Sequence, residues 1–128
     1  RGTERILLVE DEEGVRRITT SILKMQGYTV LVAKHGTEAM QLAKETPEQI
    51  DLLLTDVVMP DFGGRTLAEK IRNLLPGISV LYMSGYTDDD LLRQGVITTP
   101  DAFLQKPFTP GDLQERVTAL LHPVEIER

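Results

Sequence analysis

Short apolar runs alternate with longer stretches of helical periodicity, and this alternation constrains the fold more than any other feature of the chain. The apolar runs are, in chain order, Ile6–Val9, Thr29–Ala33, Leu52–Thr55, Ile78–Met83 and Ala102–Gln105. Short apolar runs bounded by Gly and Pro are typical of buried strands in a parallel sheet. The alternation therefore predicts an α/β fold: a doubly wound, five-stranded parallel sheet with right-handed crossovers and helices on both faces.

The stretches between the runs predict five flanking helices. The first closes at Gly27, the second ends before Pro47, and Pro76-Gly77 stops the third, since Gly suits the position after a helix and Pro cannot continue one. A fourth, weakly patterned helix is predicted over Asp88–Gly95. The apolar positions with helical spacing are Val15, Ile18 and Ile22 in the first helix, Ala39, Leu42 and Ala43 in the second, and Leu67, Ile71, Leu74 and Leu75 in the third.

The fifth helix has the clearest start signal. Thr109 is the predicted N-cap, followed by Pro110 at the first helical position and Asp112 at the third, each a residue favoured at its place. Its predicted buried face is formed by Leu113, Val117, Leu120 and Leu121.

Length and composition limit the classes of protein to consider. The 128 residues suit one domain, expected over 1–128 with its core at 5–121 and a polar tail at 122–128. The net charge of −6 argues against direct contact with nucleic acid. There is no cysteine, which excludes disulfides and thiolate chemistry. Because no stretch resembles a membrane span or a signal peptide, we expect a cytoplasmic domain without membrane contact.

Polar side chains follow the predicted strands. Glu10 and Asp11 follow the first strand, Asp56 the third, Ser84 the fourth and Lys106 the fifth. The carboxyl ends of parallel strands share one edge of the sheet, where open α/β sheets bind their ligands. If the first and third strands are neighbours, three carboxylates lie close together and repel one another. A divalent cation such as Mg²⁺ would offset that repulsion.

These residue types suit phosphoryl transfer. Asp56 is the candidate nucleophile, because a carboxylate can carry an acyl-phosphate intermediate. Asp11 and Asp56 would supply carboxylate ligands to Mg²⁺, with Glu10 holding a coordinated water. Lys106 would neutralise charge on the transferring group, and Ser84 would donate a hydrogen bond to a phosphoryl oxygen.

Each of these residues also has an ordinary structural interpretation when taken alone. Aspartate is a common turn residue, so Asp56 could simply belong to a turn. The segment Glu10–Glu13 could be the solvated start of a helix. Lys106 could lie in an exposed loop, and Ser84 could lie in an ordinary turn. His35 and His122 belong to no ligand cluster, and we expect both to be surface residues. The functional interpretation depends on all the polar residues meeting at one edge of the sheet.

The sequence resembles the response-regulator receiver domains of two-component signalling from Ile6 to Leu121. The residues that carry the resemblance are Leu8-Val9-Glu10-Asp11, Thr55-Asp56-Val57-Val58-Met59-Pro60, Gly64, Met83-Ser84-Gly85-Tyr86 and Phe103-Leu104-Gln105-Lys106-Pro107-Phe108. Each piece alone is a weak signal, but five in the right order, at successive strand ends, are specific. The resemblance implies a flavodoxin-like sheet with strand order 2-1-3-4-5.

The resemblance also implies a role for each matching residue. Asp56 would be the phosphoacceptor, and Mg²⁺ would be bound by Asp11, Asp56 and the backbone carbonyl of Val58. Glu10 stands where the family often has an aspartate and would act from the second ligand shell. Ser84 and Phe103 would be the switch residues. The Lys106-Pro107 bond matches a family peptide that is usually cis.

Partners and context follow from the same resemblance. The phosphodonor would be a histidine kinase or a histidine phosphotransfer domain. Phosphorylation would change the face formed by the fourth helix, the fifth strand and the fifth helix, which is also a possible homodimer surface. The wording of Met83–Asp88 and the lead-in Gly2-Thr3-Glu4 look most like receivers at the C-terminus of hybrid sensor histidine kinases. The isolated domain would catalyse only its own phosphorylation and dephosphorylation, whereas its parent chain would be a kinase.

Two alternatives and one kinetic expectation complete the sequence-based picture. A haloacid-dehalogenase-type phosphohydrolase would need a second aspartate shortly after the nucleophile, where this chain has Val58. A pseudo-receiver would bind a partner without being phosphorylated, which the intact acid cluster disfavours. Because Val58 cannot orient a water by hydrogen bonding and Tyr86 is bulky, we expect slow hydrolysis of a phospho-aspartate.

Overall fold

The computed structural model describes residues 4–46, 50–59, 61–85 and 103–122. Its strands are β1 (Arg5–Val9), β2 (Thr29–Ala33), β3 (Leu52–Asp56), β4 (Ser79–Ser84) and β5 (Phe103–Gln105). All neighbouring strands are parallel, and they form one sheet in the order β2-β1-β3-β4-β5. The predicted sheet and its strand order are thus confirmed.

The helices in these described ranges are α1 (Glu13–Met25), α2 (Gly36–Glu45), α3 (Gly64–Leu74) and α4 (Pro110–Leu121). The predicted helix over Asp88–Gly95 lies outside the described residues, so α4 is the fifth helix of the sequence prediction. Within the described ranges, no helix is both long and apolar enough to span a membrane.

Both faces of the sheet are buried, which explains why the strand sequences are apolar without alternation. Ile6 and Leu8 point to the side covered by α1 and α4, where they pack with Leu23 of α1. Leu7 and Val9 point to the opposite side, covered by α2 and α3. The doubly wound arrangement therefore contains two cores, one on each face of the sheet.

The buried face of α1 differs from the apolar spacing seen in the sequence. Ile18 is 64% exposed, whereas Thr19 and Leu23 are buried. Thr19 and Leu23 lie one helical turn apart and face the sheet. Val15 and Ile22 lie to the side of these two residues on the helix surface and are half-buried. In α4 the buried residues are Leu113 and Val117, as predicted, while Leu120 and Leu121 are half-buried.

The start of α4 agrees with the sequence prediction. The Thr109 hydroxyl accepts a hydrogen bond from the Asp112 amide at 3.0 Å, and the Asp112 carboxylate accepts one from the Thr109 amide at 3.1 Å. This reciprocal pair satisfies two backbone donors that a helix start would otherwise leave free.

The register of the sheet aligns the carboxyl ends of the strands along one edge. Val9 of β1 is opposite Ala33 of β2 and Thr55 of β3, and Asp56 is opposite Met83 of β4. The strands β3 and β4 each extend by one residue beyond the sequence prediction, to include Asp56 and Ser84. The polar residues that follow the apolar runs are therefore held by the sheet itself or by the first residues beyond it.

Candidate functional site

Three carboxylates meet where β1 and β3 end. One carboxylate oxygen each from Glu10, Asp11 and Asp56 can be chosen so that all lie within 4.8 Å of one another. Glu10 is 1% exposed and Asp56 is 5% exposed, whereas Asp11 faces solvent. The structure thus brings together the three acidic residues expected from the sequence, two of them inside the protein.

Lys106 reaches into this cluster from the end of β5. Its Nζ atom lies 2.7 Å from Oε1 of Glu10 and 2.6 Å from Oδ1 of Asp56. The Lys106 amide donates to the carbonyl of Ser84 at 2.8 Å, which extends the pairing of β5 with β4. The Lys106-Pro107 peptide is cis, as the family resemblance implied. A single ammonium therefore bridges the two buried carboxylates.

The cluster shifts the pKa values of its members in opposite directions. Burial and the Glu10 carboxylate raise the pKa of Asp56 to about 8, although Lys106 acts to lower it. Burial also acts to raise the pKa of Glu10, but hydrogen bonds with Asp56, Lys106 and the Glu12 amide outweigh it and lower the pKa overall. Burial acts to lower the pKa of Lys106, yet the two carboxylates raise it. Without a further cation, the surroundings of Asp56 thus favour its protonated form, whereas those of Glu10 favour the carboxylate.

The loop after β1 is held by contacts that the sequence analysis did not predict. The Glu10 carboxylate accepts a hydrogen bond from the Glu12 amide at 3.0 Å. The Arg16 side chain donates to the carbonyl of Glu10 at 2.9 Å and to that of Asp11 at 3.4 Å. Arg16 lies in the first turns of α1, so its place just after an acidic run is the signal that could have identified it.

The chain after Asp56 turns sharply because Gly64 comes close to the strand end. The Gly64 amide donates to the carbonyl of Val57 at 2.8 Å, and a Cβ at Gly64 would overlap the carbonyl oxygen of Asp56. Val58, beside the acid cluster, is 69% exposed. The need for glycine at this position agrees with its place in the family motif.

The two predicted switch residues lie on neighbouring strands. Ser84 is buried at the end of β4, and Phe103 is buried at the start of β5, within the core on the α2 and α3 side. The sheet register places Phe103 opposite Tyr82, two residues before Ser84. Tyr86 lies outside the described residues.

Both histidines are partly exposed, as predicted, but each has a specific contact. His122 Nε2 lies 2.8 Å from the Glu4 carboxylate. His35 is the N-cap residue of α2, where its Nδ1 accepts a hydrogen bond from the Glu38 amide at 3.3 Å. Neither histidine lies in the group of three carboxylates.

The composition of the site suits a hard cation and a phosphoryl group. The three carboxylates provide oxygen ligands, which Mg²⁺ prefers to nitrogen or sulfur. The lysine that bridges two of the carboxylates is a ready partner for an anionic group. The residues present therefore fit a magnesium-assisted reaction of a phosphate compound.

The comparison with protein families decides the classification. The family model described as "Response regulator receiver domain" matches residues 6–118. The chain belongs to this family. It is therefore a receiver domain of two-component signal transduction.

Known receiver domains resemble the chain closely in sequence and structure. It is 37% identical over 120 residues to the sensor kinase CckA of Brucella abortus, an alignment that covers 94% of this chain and 13% of that protein. It is 30% identical to the transcriptional regulatory protein CreB of Escherichia coli, covering 95% of this chain and 52% of CreB. The chain thus spans only part of the length of these curated relatives.

Among solved structures, the receiver domain of the hybrid histidine kinase CckA matches with a TM-score of 0.78 and 41% identity, covering 92% of this chain and 99% of that one. The chemotaxis protein CheY4 of Vibrio cholerae matches with a TM-score of 0.81 and 25% identity, covering 93% and 99%. Both likenesses extend over nearly the whole receiver domain, in agreement with the sequence prediction.

Proposed function

We propose that this receiver domain accepts a phosphoryl group on Asp56 from a phosphohistidine, with Mg²⁺ as cofactor. The observation that carries the proposal is the position of Lys106, whose ammonium touches both Asp56 and Glu10 at the edge where the strands end. A carboxylate nucleophile with a cation beside it is the arrangement that phosphoryl transfer requires.

In the proposed reaction an Oδ atom of Asp56 attacks the phosphorus atom, and the bond between phosphorus and the histidine nitrogen breaks. The electron pair of that bond stays on the histidine nitrogen, which takes up one proton from solvent, and the histidine leaves as neutral imidazole. Lys106 neutralises negative charge on the phosphoryl oxygens, and Ser84 donates a hydrogen bond to one of them. The domain thereby catalyses its own phosphorylation and turns over no metabolite.

The proposed metal ligands are Asp11, Asp56 and the backbone carbonyl of Val58, with Glu10 holding a coordinated water. When bound, Mg²⁺ would stabilise the charge of the transferring group and lower the pKa of the Asp56 carboxyl. Supporting this ligand set, Asp11 is exposed and accessible while Asp56 and Glu10 are buried behind it. Asp56 must lose its proton both to bind the cation and to attack.

The proposed switch couples Ser84 to Phe103. Phosphorylation adds about −1.5 to −2 charges beside Asp56, which would draw the Ser84 hydroxyl toward the phosphoryl oxygens. Because Phe103 is already buried, its part in the switch is a movement within the core rather than an entry from solvent. The outcome would be a change in the surface around β5 and α4, which a partner or a second copy can read.

The phosphodonor would approach along an apolar cleft beside Lys106. The cleft has a volume of about 380 Å³ and lies between α1 and the segment after β5, lined in part by Val15, Ile18, Pro107 and Phe108. Ile18 is 64% exposed although it is apolar. This cleft is apolar surface next to the acid cluster, so it suits a histidine kinase or a histidine phosphotransfer domain.

The likeness to CckA supports the further proposal that the parent chain is a hybrid sensor histidine kinase. In that setting the receiver would occupy residues 1–128 as one unit with its core at 5–121, and would act in the cytoplasm without contacting DNA or a membrane. A receiver of a transcriptional regulator is the competing context, since CreB also matches.

The test of the proposed function is intact-mass spectrometry after incubation with acetyl phosphate. We expect one added phosphoryl group in the wild type with Mg²⁺, none with EDTA, and none in an Asp56→Asn variant. An Asp51→Asn variant, which changes a carboxylate at the opposite edge of the sheet, is the matched control and should be phosphorylated normally. Addition to Asp56→Asn would refute the assignment of the acceptor.

The phosphodonor surface is tested separately. Ile18→Asp should slow transfer from a phosphorylated histidine phosphotransfer domain while leaving acetyl phosphate transfer within about twofold of wild type, because acetyl phosphate needs no protein contact. If neither acetyl phosphate nor the histidine phosphotransfer domain phosphorylates the wild type, the alternative of a pseudo-receiver that binds its partner without phosphorylation is favoured.

A further inference from the structure

The loop between β3 and α3 is fastened to the amino end of α2 by Asp61 and Phe62, a contact here called the α2 clamp. Oδ1 of Asp61 accepts hydrogen bonds from the amides of Gly36 at 3.1 Å and Phe62 at 2.8 Å. Oδ2 accepts hydrogen bonds from the Thr37 amide and the Thr37 hydroxyl, both at 2.8 Å. One carboxylate thus joins two segments that are 24 to 25 residues apart in the sequence.

The carboxylate supplies what the start of α2 needs. The first amides of a helix have no partner within the helix, and at this end His35 accepts only from the Glu38 amide. The Asp61 carboxylate accepts hydrogen bonds from the amides of Gly36 and Thr37, which precede Glu38 in the helix. It also places a negative charge at the positive end of the helix dipole. Although burial acts to raise it, the hydrogen bonds from Thr37, Phe62 and Gly36 hold the pKa of Asp61 well below its usual range.

Packing strengthens the same contact. The Phe62 ring lies so close to Gly36 that a Cβ at position 36 would overlap it. On the ring, the Lys70 ammonium lies 5.6 Å from the centroid, within the range of a cation–π contact. The clamp therefore combines hydrogen bonds to α2 with an aromatic ring seated on its first residue.

Among the described residues of this loop, hydrogen bonds fasten Val57 on one side of Val58 and the clamp fastens Asp61 and Phe62 on the other, while Met59 between them is buried in the core on the α2 and α3 side. The first fastening consists of the Val57 amide, which donates to the Met83 carbonyl at 3.0 Å, and the Val57 carbonyl, which accepts from the Gly64 amide at 2.8 Å. The Val58 side chain is 69% exposed, so burial of that side chain contributes little to holding its backbone. The position of the Val58 carbonyl therefore depends on the Val57 hydrogen bonds, on the buried Met59 side chain and on the clamp.

We propose that Asp61 is a positioning residue for divalent metal binding, acting through the α2 clamp on the backbone carbonyl of Val58. The inference rests on the proposed function, in which that carbonyl is a metal ligand. Asp61 does not touch the metal. It holds the loop against α2, so that the carbonyl need not be ordered at the moment of binding, and a preorganised ligand binds more tightly than a mobile one.

Metal affinity is the direct test, with Mn²⁺ as the probe and free Mn²⁺ counted by electron paramagnetic resonance. Asp61→Asn should raise the Mn²⁺ dissociation constant by about threefold to tenfold, less than the ~10–100-fold typical of groups that contact a ligand directly. Phe62→Ala, which changes no charge, should raise it by a similar factor. Asp51→Asn should leave it within about twofold, because the Asp51 carboxylate accepts a backbone hydrogen bond from Arg5 at the far edge of the sheet.

A second readout follows the ligand itself. In amide NMR spectra the Mg²⁺-induced shift of the Met59 amide, which shares a peptide group with the Val58 carbonyl, should be smaller in Asp61→Asn at equal Mg²⁺ concentration and recover at saturation. Circular dichroism at the same temperature shows whether each variant is folded. A general loss of stability would not move the Mn²⁺ dissociation constant of the folded fraction.

The outcomes separate the inference from the function on which it rests. A Mn²⁺ dissociation constant within twofold of wild type in Asp61→Asn overturns the inference. Weaker binding in Asp61→Asn with unchanged binding in Phe62→Ala also overturns it, since the charge of Asp61 would then be responsible and not the position of the loop. If Mn²⁺ binding in the wild type is absent or is insensitive to Asp11→Asn, the proposed metal site itself is wrong, and the inference falls with it.

Discussion

Replacing Asp56 with Asn should stabilise the metal-free protein, because the charges around Asp56 nearly cancel and burial then decides. Asp56 faces Glu10 and Asp11, and one oxygen of each of the three carboxylates lies within 4.8 Å of the others. Two unit charges at that distance or closer repel by at least about 3 kcal/mol at an effective dielectric constant of about 20. Its ion pair with Lys106 at 2.6 Å gains about 6 kcal/mol on the same scale. Asp56 is only 5% exposed, so its carboxylate has lost most of its hydration. Because the attraction and the repulsion nearly cancel, no interaction remains to offset the free-energy cost of that lost hydration.

The raised pKa of Asp56 sets the sign of the pH dependence. Between the ordinary aspartate pKa of about 4 and the folded value of about 8, the folded protein keeps a proton on Asp56 that the unfolded chain has released. The free energy of unfolding of the metal-free wild type therefore falls as the pH rises through this interval. Asn does not titrate, so the advantage of the variant should grow from pH 5 to pH 8.

The size of the effect has an upper bound and a smaller expected value. Moving the pKa from about 4 to about 8 corresponds to at most about 5 kcal/mol. That pKa already includes the attraction of Lys106, and burial of the polar Asn amide offsets part of the gain. We expect a net increase of about 1–3 kcal/mol in the free energy of unfolding at pH 8, or roughly 4–10 °C in Tm.

The assay is thermal and urea unfolding followed by circular dichroism, in EDTA and in Mg²⁺, at pH 5 and pH 8. Mg²⁺ should stabilise the wild type by binding the folded state and should stabilise Asp56→Asn much less. Asp51→Asn is the control for loss of one negative charge and should not reproduce the gain. A Tm of Asp56→Asn at or below that of the wild type, in EDTA at pH 8, would refute the reasoning.

Other predictions follow from single contacts. Lys106→Gln should slow phosphorylation by acetyl phosphate by about 10²-fold or more, because it removes the cation facing the developing charge; an unchanged rate by intact mass would contradict the role of Lys106. Val58→Asn should shorten the phosphorylated lifetime at least about threefold by orienting the attacking water, and an unchanged decay of the phosphorylated mass would remove that argument. Thr109→Ala should lower the free energy of unfolding by about 1 kcal/mol in urea titrations by opening the cap of α4; Gln114→Ala, on an exposed position of the same helix, should have little effect.

The sheet was predictable because each strand is apolar on both faces and ends at a polar or glycine-rich turn. The parallel orientation of the strands followed from the helical stretches between the apolar runs, because a helix between two strands is the usual crossover connection of a parallel pair. The strand order came from the family resemblance and not from periodicity. The sequence of an apolar run does not specify which other strand will pair with it.

The acid cluster was predictable for the same reason: its members follow strands that share an edge. The sequence could not show that Lys106 would bridge Glu10 and Asp56, since the contact joins residues 96 positions apart and depends on the register of β5. Asp61 was missed because it accepts hydrogen bonds from backbone amides 24 to 25 residues away, a separation at which no local sequence pattern links donor and acceptor. Arg16 was missed although it lies only five to six residues from the carbonyls that it contacts.

The buried face of α1 could not be derived from apolar spacing alone. The apolar positions with helical spacing include Ile18, but the helix turns Thr19 toward the sheet and leaves Ile18 exposed. Ile18 instead lines the apolar cleft that also contains Lys106 and Pro107. An apolar surface residue and a core residue look alike in the sequence, so apolar spacing alone does not separate them.

The pairing of Glu4 with His122 has a consequence for access to the acid cluster. Glu4 precedes β1, at the amino edge of the sheet, and the 2.8 Å contact with His122 brings the end of α4 to the same edge. The acid cluster lies at the other edge, one strand length away. Glu4 and His122, the first and last residues that the structure describes, therefore lie on the side of the molecule opposite the carboxylates. If Asp56 is the phosphoacceptor, neither end of the described chain obstructs access to it.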